Sequence, residues 1–122
     1  MVNGETLLFA TAGDPVRQVR LPEVMERVFA ALGVNAVWMP MHADARGLVT
    51  VLEGLRTIRN FRGITVAIPH KPRALEMVDT RTRRAEASGG INLVRCDADG
   101  RLHGDIVDGA GFVRGLERAG LS

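Results

Sequence analysis

One lysine stands among fifteen arginines in this sequence, and its surroundings suit proton transfer. Lys71 follows the apolar run "GITVAIP" (63–69) and precedes Pro72, so we expect it at or beside the N-terminus of a helix. The helix dipole disfavours a cation there, and partial burial would lower the pKa of the amine further. An arginine cannot release its proton at ordinary pH, whereas such a lysine can. Lys71 is therefore a candidate general base, and the alternative is a solvated surface lysine.

Two further polar residues stand where a ligand could meet them. Asp108, in "GDIVDGAGF" (104–112), is expected at the start of a helix, where a carboxylate stays ionised and can orient an amine or a hydroxyl. Capping of that helix explains the same aspartate and is compatible with catalysis. Asp105 could equally be a solvated strand residue. Asn92 lies in the apolar stretch "GGINLV" (89–94), and a buried amide needs partners, either backbone groups or ligand hydroxyls.

Short apolar strands alternate with amphipathic helices along the chain. Strands are predicted at residues 6–12, 35–41, 63–69, 90–96 and 101–107. Helices are predicted at 21–33, at 44–58, from 72 onwards, at 82–87 and from 108 to 120. Pro22 suits the first turn of the first helix, Gly33 ends it, and Asp44 can cap the second.

This alternation predicts an α/β fold, a three-layer structure whose mostly parallel sheet has one antiparallel strand and helices on both faces. The antiparallel strand follows from "DADG" (97–100), a hairpin-type turn between the last two predicted strands. Ligands of open α/β sheets bind beyond the carboxyl ends of the strands. Lys71 and Asp108 are both expected there, so the sequence predicts that they share one site with Asn92.

Composition narrows the function classes. The 122 residues are 46% hydrophobic and 25% charged with a net charge of +2, which is typical of one soluble domain and does not indicate nucleic-acid binding. No apolar run is long enough to span a membrane, and the start "MVNGETLLFATAG" does not read as a signal peptide, so we expect a cytoplasmic protein. Cys96 is the single cysteine, and no metal site is spelled out. No GxSxG, HExxH, Walker or G-x-G-x-x-G motif is present.

Four segments, taken in order, resemble the substrate-binding half of the shikimate dehydrogenase family, which includes quinate dehydrogenases. The family reads roughly G-x-P-x-x-H-S-x-S-P, then N-V-T-x-P-x-K, then G-A-V-N-T, then G-x-N-T-D-G-x-G. This sequence has "GDPVRQVRLP" (13–22), "TVAIPHK" (65–71), "GGINL" (89–93) and "GDIVDGAGF" (104–112). The motifs cover nearly the whole chain, and their order makes the resemblance specific.

The resemblance implies a role for each matching residue. Lys71 matches the catalytic lysine, Asp108 the aspartate paired with it, and Asn92 the asparagine that binds ring hydroxyls of the substrate. It implies an oxidoreductase resembling a shikimate 3-dehydrogenase, which passes a hydride between a ring carbon and NADP or NAD. The ligand implied is a small cyclic hydroxy acid similar to shikimate or quinate.

Several positions depart from the family pattern. Val19 and Leu21 replace the two serines that grip the shikimate carboxylate, and Thr65 replaces the asparagine of the second motif. The other departures are Ala67, Leu93, Ile106 and Val107. We therefore expect weak shikimate binding, because a site that loses hydroxyls loses discrimination. Thr65 and the loop residues Arg17, Gln18 and Arg20 are candidate substrate-binding residues, since an arginine can hold a carboxylate bidentately.

The family's glycine-rich Rossmann domain would follow the last helix. We expect residues 1–122 to form the substrate-binding domain alone, with NADP or NAD bound only when a dinucleotide-binding domain is present and with no catalysis by these residues in isolation. A different class of function stays open: a non-catalytic module that binds or senses a small hydroxy acid, or an interaction domain with no ligand. The oligomeric state is open between monomer and homodimer.

Overall fold

The computed structural model describes residues 2–67 and 74–106. The elements, in chain order, are β1 (Leu7–Gly13), α1 (Leu21–Leu32), β2 (Ala36–His42), α2 (Ala45–Leu55), β3 (Phe61–Val66), β4 (Thr80–Arg81), α3 (Arg83–Ser88), β5 (Leu93–Cys96) and β6 (Leu102–Asp105). The start of the helix predicted from Pro72 and the helix predicted from Asp108 lie outside the described residues, as do Lys71 and Asp108 themselves, whereas residues 74 and 75 are helical. Within the described part, no helix is long and apolar enough to cross a bilayer.

Six strands form one sheet in the order β2-β1-β3-β5-β6-β4. Strand β1 runs parallel to β2 and β3, and β4 runs parallel to β6. Strand β5 is antiparallel to both of its neighbours, β3 and β6. The predicted α/β fold, with a mostly parallel sheet and one antiparallel strand, is therefore confirmed.

Both predicted ends of α1 and the predicted start of α2 hold because the capping residues act as expected. Pro22 lies in the first turn of α1, and Gly33 ends that helix in the left-handed conformation, at φ 67°. The Asp44 carboxylate accepts a hydrogen bond from the Gly47 N–H at 2.6 Å and so caps α2. Helix α2 ends at Leu55, before the Ile58 to which its apolar stripe had been extended.

The two long helices cover opposite faces of the sheet. Strand β2 lies on one side of β1 and β3 lies on the other, so the crossovers through α1 and α2 run in opposite directions along the sheet. Because both crossovers are right-handed, the two helices must lie on opposite faces. Phe29 of α1 packs with its ring centroid 5.5 Å from that of Phe9. Leu48 and Leu52 of α2 join the buried core of the other face.

That core contains the buried apolar residues Ala10, Ala12, Leu48, Leu52, Phe61, Ile64, Val66, Ala74, Ala85, Ile91, Val94, Cys96 and Leu102. It includes Ile64 and Val66 of β3 and Val94 and Cys96 of β5, which alternate along each strand as one sheet face requires. The two-residue strand β4 was not predicted, because two residues carry no periodic signal.

Candidate functional site

The predicted site residues that the structure describes lie at or near the carboxyl end of the parallel strands. Strands β1, β3 and β6 end there at Gly13, Val66 and Asp105, and the antiparallel β5 begins there just after Asn92. Only β5 separates β3 from β6. The ends of β3 and β6 are therefore about 10 Å apart, twice the ~4.8 Å spacing of neighbouring strands.

This spacing bears on Lys71 and Asp108. Lys71 comes five residues after Val66, and Asp108 three residues after Asp105. The two strands that precede these residues end at the same edge of the sheet, because β3 and β6 point in the same direction. A shared ligand for the two side chains is compatible with this arrangement, and their pairing stays a prediction.

Asn92 connects the two strands through its backbone. Its N–H donates to the Asp105 carbonyl oxygen at 3.0 Å, and its carbonyl oxygen accepts from the Val66 N–H at 2.9 Å. The residue is 9% exposed. Asn92 is thus held between the ends of β3 and β6, and its contact with a ligand stays a prediction.

Asp105 has a structural role that the sequence did not reveal. Arg84 donates to both of its carboxylate oxygens, from Nε at 2.7 Å and from Nη2 at 2.5 Å. The Thr82 hydroxyl and the Ile106 N–H also donate to Oδ1, at 2.6 and 2.7 Å. The Arg84 hydrogen bonds are the main cause of a strongly lowered pKa of Asp105. Asp105 is consequently an ionised anchor and a poor proton acceptor.

The Thr82–Arg84–Asp105 cluster could have been suspected only in part from the sequence. Thr82 caps helix α3 with its side chain, a signal that one sequence does carry. Arg84 and Asp105 are 21 positions apart, and no periodic pattern joins such a pair. The cluster lies beside the site because the Asp105 carbonyl receives the Asn92 N–H.

Thr65 belongs to a chain of polar side chains inside the sheet. Its Oγ1 lies 2.6 Å from Oγ1 of Thr11 on β1, and the Trp38 indole N–H donates to Thr11 Oγ1 at 2.8 Å. Thr11 is 3% exposed, whereas Thr65 is half-buried. The sequence identified Thr65 as a candidate, but it gave no sign that Thr11 and Trp38 would contact each other and it.

The loop between β1 and α1 carries the three other candidates. Gln18 donates from Nε2 to the Pro15 carbonyl oxygen at 2.8 Å. Arg20 Nη1 lies 3.5 Å from Glu23 Oε1, and the Arg20 side chain is 82% exposed. Arg17 is exposed as well. Both guanidinium groups are accessible to an anion from solvent, and their contact with a substrate carboxylate stays a prediction.

A cleft of about 690 Å³ opens at the opposite, amino end of the sheet. Its lining includes Glu53, Arg56, Asp79 and Asp99, and its central charges neutralise each other: Arg56 Nη2 donates to Asp79 Oδ2 at 2.6 Å. Asp79 also accepts the Leu102 N–H at 2.8 Å. These contacts fasten the end of α2 to the β5–β6 hairpin, so we interpret this cleft as structural.

Comparison with known proteins identifies the family of this chain. A family profile described as "Shikimate dehydrogenase substrate binding domain" matches residues 11–94. A shikimate dehydrogenase (NADP(+)) of Rubrobacter xylanophilus is 38% identical over 120 residues, which cover 98% of this chain and 42% of that protein.

Two solved structures are similar in fold and sequence. Shikimate 5-dehydrogenase of Listeria monocytogenes, in complex with shikimate and NAD, has a TM-score of 0.93 and 33% identity, with 99% of this chain and 41% of that chain covered. The Thermus thermophilus enzyme, in complex with NADP(H) and shikimate, has a TM-score of 0.89 and 29% identity, with 95% and 43% covered. The chain thus spans about two fifths of the length of these relatives.

Proposed function

This chain belongs to the family of shikimate dehydrogenase substrate-binding domains, and from that premise we propose that it is the substrate half of an NAD(P)-dependent oxidoreductase. The substrate proposed is a shikimate- or quinate-like cyclic hydroxy acid. The reaction proposed is the oxidation of one ring hydroxyl, the 3-hydroxyl in the finer form of the proposal. Residues 1–122 would form a single domain, in the reducing cytoplasm that suits the one free, buried thiol, Cys96.

Each residue then has a distinct task. Lys71 takes the proton from the hydroxyl that is oxidised, because an amine at the predicted helix start can release its own proton, which an arginine cannot. Asp108 stays ionised and orients that amine and hydroxyl. Asn92 donates and accepts hydrogen bonds with neighbouring ring hydroxyls.

The described connection between β1 and α1 does not fit a nicotinamide dinucleotide. A dinucleotide site needs a glycine-rich turn from a strand into a helix N-terminus, and the β1–α1 connection offers Gly13 followed by a seven-residue loop with no further glycine. The dinucleotide accepts a hydride in reactions of this class. The proposal assigns its binding to a further domain, in line with the greater length of the relatives.

One observation carries the proposal: β3 and β6 end at the same edge, with Asn92 hydrogen-bonded to both strand ends. The segments that contain the family's lysine and aspartate follow those two strands. A family-like site therefore needs no rearrangement of the described residues.

A chimaera tests the catalytic part. The aligned segment of the Rubrobacter xylanophilus enzyme is replaced by this chain, and NADP reduction is followed with shikimate and with quinate. We expect activity with at least one of them, and a loss of at least about a hundredfold in kcat for Lys71→Met and for Asp108→Asn. Full activity of Lys71→Met, or a chimaera that binds both ligands without turnover, would contradict the assignment.

A further inference from the structure

The polar chain Trp38–Thr11–Thr65 has a defined direction. An indole nitrogen can only donate, so Thr11 accepts from Trp38 at 2.8 Å. The Thr11 hydroxyl proton also needs an acceptor, and Thr11, at 3% exposure, has little access to water. Among the residues that the structure describes, Thr65 Oγ1, at 2.6 Å, is the acceptor within its reach.

The opposite direction would leave a buried donor without a partner. If Thr65 donated to Thr11, then Thr11 would accept two hydrogen bonds and its proton would have no acceptor in the described part of the chain. Burying an unpaired hydroxyl is unfavourable. The sequence of donors is therefore Trp38 to Thr11 to Thr65, and each bond polarises the next.

This direction sets what Thr65 can offer. Its oxygen accepts from Thr11, so its own proton is directed to another acceptor, and Thr65 is half-buried rather than sealed in the core. Thr65 is the second-last residue of β3, one position from the edge where Asn92 receives the Val66 N–H. A hydroxyl donor is thus held close to the proposed site.

We propose that Trp38 and Thr11 are positioning residues that hold the Thr65 hydroxyl as a hydrogen-bond donor to an acceptor oxygen of the substrate. A carboxylate oxygen is the acceptor that binds such a donor best, because charge-assisted hydrogen bonds are the stronger ones. The inference rests on the proposed function for the identity of the ligand. It adds a specificity determinant at a position where the family motif has an asparagine.

The hydrogen-bonded chain Trp38–Thr11–Thr65, called the relay below, can be followed through its tryptophan, which is the single one in the sequence. Its indole N–H gives one resonance in a ¹⁵N–¹H spectrum of the 122-residue chain, and shikimate is the added probe. As Thr65 donates to the ligand, polarisation along the relay should move the Trp38 indole resonance downfield, with the same saturation as the amides of the site. Thr65→Val should abolish that shift and raise the Kd about tenfold. The matched control Thr65→Ser should keep the shift.

Two results would overturn the relay in this experiment. One is a Trp38 indole resonance that does not move although site amides saturate. The other is an equal shift in Thr65→Val, which would show that the indole senses the ligand by another route.

A ligand-free arm separates the relay from the proposed function. In a neutron structure of the free chain, we expect a deuteron bonded to Thr11 Oγ1 on the line to Thr65, and the Thr65 deuteron directed away from Thr11. A Thr65 deuteron on that line would refute the proposal. If neither shikimate nor quinate moves any resonance, the proposed function loses its ligands, and the deuteron positions alone decide the direction of the relay.

Discussion

Strand β6 is held at each end by an aspartate paired with an arginine, and the two ends differ in what they support. At the amino end, Asp79 accepts the Leu102 N–H and pairs with Arg56, which also donates from Nε to the Gly100 carbonyl oxygen at 3.1 Å. At the carboxyl end, Asp105 pairs bidentately with Arg84. An aspartate–arginine pair thus holds the β5–β6 hairpin at one end of β6, and a similar pair lies beside Asn92 at the other end.

The cause of each lowered pKa reflects this difference. For Asp79 the largest cause is the backbone hydrogen bond from Leu102, so that carboxylate completes a strand. For Asp105 it is the hydrogen bonding of the Arg84 side chain. We infer that the amino-end pair contributes to stability alone, whereas the carboxyl-end pair contributes to stability and to the geometry of the site.

The largest effect is expected at the amino end, from Gly100→Ala. Gly100 has φ 89°, and an added Cβ would lie 2.7 Å from the Arg56 carbonyl oxygen. We expect a loss of about 3 kcal/mol in the free energy of unfolding, measured with urea. Gly33→Ala is the control, because Gly33 has φ 67° with open space around it and should lose only about 1 kcal/mol. Equal losses would show that the hairpin contact does not matter.

The next effect is expected at the carboxyl end, from Val19→Ser combined with Leu21→Ser. Two hydroxyls restored beside a carboxylate should tighten shikimate binding by about a hundredfold, or roughly 3 kcal/mol. Calorimetry with shikimate measures the change. Arg20→Ala is measured in parallel, since an arginine that already holds the carboxylate would make the serines redundant. Micromolar binding by the unmodified chain, indifferent to Arg17 and Arg20, would show that the loop was interpreted wrongly.

The two ends of β6 can be compared directly with the matched variants Arg84→Ala and Arg56→Ala. Both should lower the urea midpoint, because each leaves an aspartate without its arginine. Only Arg84→Ala should also weaken shikimate binding, by about tenfold, within the range that mutations away from a ligand produce. Equal changes in shikimate binding by both variants would show that the Arg84 pair has no special role in the geometry of the site.

The smallest effect is a difference in acid stability. A carboxylate whose pKa is lower in the folded chain stabilises the fold above its unfolded-state pKa, near 3.9, and loses that contribution as the pH falls through the folded-state value. Asp105→Asn and Asp79→Asn should therefore each flatten the fall of the urea midpoint between about pH 5 and pH 2. Only Asp105→Asn should change shikimate binding at neutral pH. An unchanged acid slope in Asp105→Asn would contradict the strength of the Arg84 pair.

Local signals predicted the fold well. Pro22, Gly33, Asp44 and the turn at 97–100 act through backbone geometry within a few residues, so one sequence is enough to place them. Both ends of α1, the start of α2 and the presence of one antiparallel strand followed from these signals. The two-residue strand β4 did not, because it exists only through its pairing with β6.

The site was predictable to a smaller extent. Asn92 and Thr65 stood out by residue type and by resemblance, and the structure places Asn92 at the shared edge and Thr65 one position from it. Their supporting contacts join residues 27 or 54 positions apart in the Thr11 chain and 21 apart in the Arg84 pair. Such contacts depend on how strands are ordered in the sheet, and a single sequence has no periodicity at those separations.

The central claim is that ligand binds at the carboxyl end of the sheet and not in the cleft at the amino end. The most direct measurement is a shikimate titration of the ¹⁵N-labelled chain, with amide shifts mapped onto both ends. The account predicts that the largest saturable shifts fall on Gly13, Ala67, Asn92 and Ile106, that Gly100 and Leu102 stay nearly unmoved, and that Asn92→Ala weakens all of them together. Largest shifts at Gly100 and Leu102, or no saturable shift at either end, would contradict it.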